Sequence, residues 1–472
     1  MVDFFFINVF INIVLLYGVC IMKRYIINGN VCLQNEVKEI DIEITDGVIT
    51  ALDQDLPRQG DAEVFNAAGL TVIPGIVDFH AHLEEKGQYF DQSDTYKSGT
   101  KLAIENGITT INAFIVQNFN QSLSQAISAV ADQALNNSYC DYRWHLTPTR
   151  FSDINFYDIS KWIEKGFRTF KFYTTYKTAN LYLSYDKINE IIRRLKKFEP
   201  QIIIHCEDEA ILSQMGRNVN YRDLTKFPEI HSEEAELNAV EKIINLCQNI
   251  QTPIHIAHLT SADAIGQIEL AKRDCPITSE TTPHYVFFNE DKLRGERGAH
   301  YLTTPPLRNE ECRSFMEIKT SMGYPEVLCS NHRAYSDSVY QAASSDFRNI
   351  PSGMPALGAL FPMFYDLLVG KYQWELPKLM NCLSFNPANL AQIYPRKGVI
   401  SVGSDADIVI FNPKGKTRKI SASYTQNVNI WEDYSTNVEI KEVMLRGNTV
   451  VKNGKLVDED NCQGKPICIT SV

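Results

Sequence analysis

Among the 472 residues of the chain, two histidines stand two positions apart, His80 and His82, in the stretch Gly75-Ile76-Val77-Asp78-Phe79-His80-Ala81-His82. Side chains on a β-strand alternate between faces, so both imidazoles project to one side and can grip one cation together. Lys171, His205 and His258 stand at or near the ends of later apolar runs. Taken singly, each has an ordinary reading as a polar residue at a strand end. Jointly they describe a hydrolytic metal site, because zinc accepts imidazole nitrogen and a catalytic site keeps one position open for water. An ammonium group cannot ligate a cation. Lys171 fits such a set only as a carbamate formed with carbon dioxide, which bridges two metals as a carboxylate would.

Groups so far apart in sequence need a scaffold that brings strand ends together. Runs rich in β-branched residues occur at 75–82, 108–114, 142–149, 169–174, 201–207, 253–259, 276–282 and 325–331. Helical stretches lie between them, among them 184–198, 232–247 and 261–273. Eight strands alternating with helices predict an α/β fold, a (β/α)8 TIM-like barrel whose reactive groups gather at the strands' C-terminal ends. The open doubly wound sheet is the alternative, but no glycine fingerprint for a dinucleotide follows the first strand. Short alternating runs at 24–27, 40–44, 48–52 and 63–66, punctuated by Asn-Gly and Asp-Gly, predict hairpins. Residues 354–370 and 374–394 read as helices, and β character returns at 397–410 and 438–456. The expected organisation is a barrel over 74–394 and a small β-sandwich domain built from both chain ends, 22–73 and 395–472.

A composition of 44% hydrophobic and 22% charged residues is that of a globular protein, and a net charge of -11 gives no general attraction for nucleic acid or anionic lipid. Eleven cysteines without paired spacing point to free thiols and a reducing, cytoplasmic setting. Residues 1–21 are apolar with Asp3 as the one charge, yet lack the basic start and cleavage signal of a secretory peptide. The expectation is an extension outside the functional protein, with Met22 opening the first β domain and no membrane partner.

These motifs resemble the cyclic amidohydrolases, and most closely the dihydropyrimidinase and D-hydantoinase family, over residues 23–460. Beyond the first strand they comprise Phe170-Lys171 with Tyr176 five residues on, Ile204-His205-Cys206-Glu207 and Ala257-His258-Leu259-Thr260-Ser261. Glu280-Thr281-Thr282-Pro283, Pro305-Pro306-Leu307-Arg308, Asn386-Pro387-Ala388 and Gly403-Ser404-Asp405-Ala406-Asp407 complete the set. The resemblance implies two Zn2+ ions, one held by His80 and His82, the other by His205 and His258, with carbamylated Lys171 between them. It implies attack of a bridging hydroxide on a ring amide. Tyr176 would donate to the oxyanion, an interaction worth about 3 kcal/mol, and Thr281 and Ser352 would contact substrate. A small cyclic amide is the implied partner, and a homotetramer or homodimer the implied assembly.

One position separates a neighbouring family, and two others depart from the pattern. Glu84 stands where the neighbouring dihydroorotases carry an arginine for a substrate carboxylate, which favours a neutral imide or ureide ring. Strand eight ends Leu328-Cys329-Ser330-Asn331-His332, with Asn331 at the position of the family's general-base aspartate. An amide has no proton to exchange near pH 7, so the resemblance implies weakened catalysis or, alternatively, a catalytically silent binding and assembly protein like the collapsin response mediator proteins. His332 is a weaker substitute base. Relatives also carry asparagine at Ser352 and glutamate at Gly358. His145, His231, His255, His284 and His300 read as structural, and His255, an odd number of residues from His258, is expected to face the helix layer.

Overall fold

The structure, a computed structural model, describes residues 22–85, 91–342, 346–421, 423–426 and 428–467. The apolar segment 1–21 lies outside the described residues. Strands β1 (Lys23–Cys32), β2 (Val37–Thr45), β3 (Val48–Asp53), β4 (Glu63–Asn66) and β5 (Thr71–Pro74) form the first part of one sheet. The chain then enters the barrel strands β6 (Ile76–Asp78), β7 (Ile108–Val116), β8 (Asp141–Thr147), β9 (Thr169–Tyr173), β10 (Gln201–His205), β11 (Ile254–Ile256), β12 (Ile277–Thr281) and β13 (Val327–Leu328). All neighbours in this row are parallel and in sequence order. Between its two ends, Ser330 N donates to Asp78 Oδ1 at 2.9 Å and His82 N to His332 O at 2.9 Å. The eight parallel strands thus make a nearly closed barrel, each where the apolar runs predicted one.

Local chemistry explains the alternation. β10 reads Gln-Ile-Ile-Ile-His and is buried throughout, as a parallel strand packed on both faces must be. Helices 185–195, 233–250 and 262–271 open at Ser184, Ser232 and Ser261, whose hydroxyls accept backbone N–H groups that the first turn leaves unpaired.

The chain ends close a nine-stranded, mostly antiparallel sheet, in which β14 (Ile408–Asn412) pairs with β5. After the short β15 (Arg418–Lys419) and β16 (Ser435–Thr436), which pair with each other, β17 (Glu439–Leu445), β18 (Asn448–Lys452) and β19 (Lys455–Leu456) extend it. It has a core of its own, drawn from both chain ends, with Ile26, Ile42, Ile49, Ile408 and Ile410. The strand predicted over 397–410 begins only at Ile408, because the residues before it turn to bury Lys397. Its ammonium meets Asp141 at 2.6 Å, Asp407 at 2.7 Å and Asp405 at 3.0 Å. Asp141 opens β8, so this cluster ties the barrel to the sheet. Lys397→Met should lower unfolding stability by roughly 3–5 kcal/mol, because it leaves buried carboxylates without their cation; a urea midpoint unchanged from the natural chain would contradict that role.

The helix predicted from 354 begins at Leu360. Residues 355–357 stay irregular, and the N–H groups of Ala356 and Leu357 point at His332 Nδ1, at 3.1 and 3.4 Å. The nine described cysteines are free thiols. Among the described residues no helix is long and apolar enough to cross a membrane.

Candidate active site

His80 and His82 follow the end of β6, Lys171 is the middle residue of β9, His205 ends β10, and His258 lies just past β11. The fold brings all five to one cavity of about 680 Å3. Ring centroids of His80 stand 5.2 Å from His82 and 5.3 Å from His258, and those of His205 and His258 are 4.7 Å apart. His205 Nδ1 and His258 Nε2 face each other at 3.1 Å.

Carboxylates hold the rings from behind. His80 Nδ1 meets Glu280 Oε1, His82 Nδ1 lies 2.6 Å from Glu85 Oε1, and His205 Nε2 lies 2.6 Å from Glu207 Oε2. The other oxygen of Glu207 accepts from His231 Nδ1 at 2.8 Å. A carboxylate at one ring nitrogen draws the proton there and leaves a lone pair on the other, which is how metal-binding imidazoles are oriented. Burial pushes His80 and His258 well below the ordinary histidine range and His82 down to about 4, so all three are neutral near pH 7. Burial raises Glu207, but His231 and His205 outweigh it and keep the group ionised.

Lys171 is 1% exposed, and its Nζ has no hydrogen-bond partner among the described residues. Burial lowers it to about 8. An unpaired ammonium in such a place is costly, whereas a carbamate there would meet the imidazoles' lone pairs through a shared cation. The donor set therefore fits a pair of divalent ions. His80, Glu280 and Cys329 also bring ligand-type atoms within 4.8 Å of one another. That group is a poorer candidate, since His80 Nδ1 is already bonded to Glu280 and burial pushes the Cys329 thiol well up.

Tyr176, Asn331 and Ser352 line the same cavity. Tyr176 has a left-handed backbone, φ 69°, at the start of a 3-10 turn, and Ser352 Oγ lies 2.6 Å from Thr304 Oγ1. Thr281 does not join them. Its side chain is fully buried and donates to Leu259 O at 2.8 Å. His332 is turned away too: its Nε2 lies 3.0 Å from Asp94 Oδ2 while its Nδ1 faces the Ala356 and Leu357 amides. A substitute-base role for it is therefore not supported by position. At Gly358 a Cβ would run into the Ser421 carbonyl, so the backbone there leaves no room for a side chain.

One expectation fails outright. His255 pairs in register with Ile203, itself opposite Lys171, and its Nε2 lies 3.2 Å from Glu280 Oε2. It faces the barrel interior, not the helix layer. β11 ends at Ile256 and the backbone turns to φ 37° at His258, so strand parity does not carry across. Residue-by-residue reading also missed Glu85, Glu207, Glu280, His231 and Arg333. Glu207 had a usable signal, two residues past His205; Arg333 had none.

An eight-stranded barrel with imidazoles, a lysine and carboxylates at the strands' C-terminal ends defines a class of hydrolase scaffold. Residues 71–450 match the amidohydrolase family, and the chain belongs to it. The D-hydantoinase of Geobacillus stearothermophilus is 27% identical over 462 residues, covering 94% of this chain and 95% of that protein. The D-hydantoinase of Ralstonia pickettii is 26% identical over 453 residues, 93% of this chain and 97% of the relative. Among solved structures, the dihydropyrimidinase of Brevibacillus agri NCHU1002 superposes with a TM-score of 0.90 at 26% identity, covering 94% and 98% of the two chains.

Proposed function

We propose that this chain is a metal-dependent hydrolase that opens a cyclic amide or imide ring of the hydantoin or dihydropyrimidine type. The observation that carries the reading is the convergence of four imidazoles on one cavity with a buried lysine whose amine has no hydrogen-bond partner among the described residues. In this reading His80 and His82 would hold one zinc ion and His205 and His258 a second, with Lys171, as its carbamate, contributing to both. When bound, such a pair supplies hydroxide near neutral pH and polarises the carbonyl to be attacked.

The chain's own groups do the rest. Glu280, Glu85 and Glu207 hold the imidazole protons outward, Tyr176 offers its hydroxyl to the developing oxyanion, and the backbone at Ser352 contacts the ring. Asn331 offers a carbonyl oxygen but cannot carry a proton from water to the leaving nitrogen. That single residue also supports a second reading, a catalytically silent binding or assembly protein. Metal analysis of the purified chain, with turnover of dihydrouracil, hydantoin, allantoin and dihydroorotate, separates the two. About two zinc ions per chain and an opened ring are expected. Metal without ring opening, or no metal and no ring opening, overturns the hydrolase reading and leaves the silent one.

A further inference from the structure

Arg333 follows the strand-eight segment and lines the same cavity as the five metal-ligand candidates, with 28% of its side chain exposed. Its Nη2 donates to Glu85 Oε2 at 2.9 Å and lies 2.9 Å from His82 Nδ1. The guanidinium thus lies at the cavity wall beside His82, in the same cavity as Lys171, Tyr173 and Tyr176.

The placement depends on a neighbour without a side chain. Gly353, at φ +149°, lies under the arginine's aliphatic stem, where a Cβ would come 2.5 Å from Arg333 Cδ and 2.6 Å from its Cβ and Cγ. One oxygen of Glu84, Oε2, accepts the Tyr96 N–H at 3.1 Å, at the first turn of helix 96–105, while Glu84 and Glu85 both line the cavity. What the cavity presents is a fixed, always charged, planar donor suited to a carboxylate.

We propose that Arg333 is a specificity-determining residue that recognises a carboxylate on the substrate, so that the preferred ring is a cyclic ureide or imide bearing an acidic substituent. This rests on the hydrolase reading above for the ring chemistry, and adds the charge of what the ring carries. Glu85 shares the guanidinium, and the incoming carboxylate takes up donors on its cavity side.

The test compares two ligands that differ in charge alone, carboxymethyl hydantoin and its neutral carboxamide, on the zinc-loaded full chain. Turnover is measured by kcat/KM and binding by calorimetry. The natural chain should favour the acid by about 10- to 100-fold, the range of one charge-assisted hydrogen bond. Arg333→Met should bring the ratio near one, and Arg333→Lys should restore part of it. Reading the ratio cancels any general loss from disturbing Glu85 and His82. Equal handling of acid and amide by the natural chain, or a preference that survives in Arg333→Met, overturns the proposal while ring opening of the amide leaves the hydrolase reading standing. Selective binding of the acid without turnover upholds Arg333 and removes the activity. Failure of either compound to bind or react, with simple hydantoin and dihydrouracil equally inert, overturns both.

Discussion

Asn331→Asp should raise turnover of a cyclic amide by about 10²- to 10⁴-fold, the usual contribution of a positioned general acid and base. Asn331 lines the cavity at the end of strand eight, so a carboxylate there would face the reacting ring. The exchange is nearly isosteric, and the backbone accepts it. Residue 331 has φ 44°, a left-handed conformation that Asn and Asp tolerate better than other side chains. Its flanks are clamped: Ser330 N donates to Asp78, and His332 is held by Asp94 and the 356–357 amides. The new carboxylate should land where the amide now stands. Metal content should stay level while kcat rises. An unchanged or lower rate would mean that proton transfer is already handled by another group and that Asn331 is no deficiency.

The barrel was legible because its strands are buried on both faces and so carry dense β-branched runs, as in Gln201–His205. The five metal-site candidates were legible because strand ends impose a common direction on residues far apart in sequence. The carboxylates behind them were harder. Glu280 reaches His80, 200 residues away, and Glu85 reaches His82 only because the loop after β6 curls back. Neither contact has a periodic signature. His255 shows the limit from the other side, since parity holds only while the strand lasts, and β11 is three residues long. Thr281 was read as a substrate contact from its motif, yet the short β12 leaves its hydroxyl against Leu259 O. Arg333 gave no signal because its placement depends on a fit over Gly353, a matter of tertiary packing alone.

Lys171→Ala should cut zinc content from about two ions per chain to one or fewer and lower ring opening, by at least about 10³-fold where no ion remains, since unbound water has a pKa near 15.7 instead of near 7. Stability of the metal-free chain should not fall with activity, because there the substitution removes a buried ammonium whose Nζ has no hydrogen-bond partner among the described residues. The two readouts therefore separate a metal role from a packing role. If the working group is a carbamate, the space left by the shortened side chain can admit a small carboxylate from solution. Acetate or propionate at millimolar concentration should then restore part of both the metal content and the rate in Lys171→Ala, with no gain in the natural chain. Preparing the natural chain free of bicarbonate should mimic the variant, and adding bicarbonate should reverse that loss but not the variant's. Should Lys171→Ala keep its full complement of zinc, the lysine is no bridge, and the four imidazoles must hold their ions unaided.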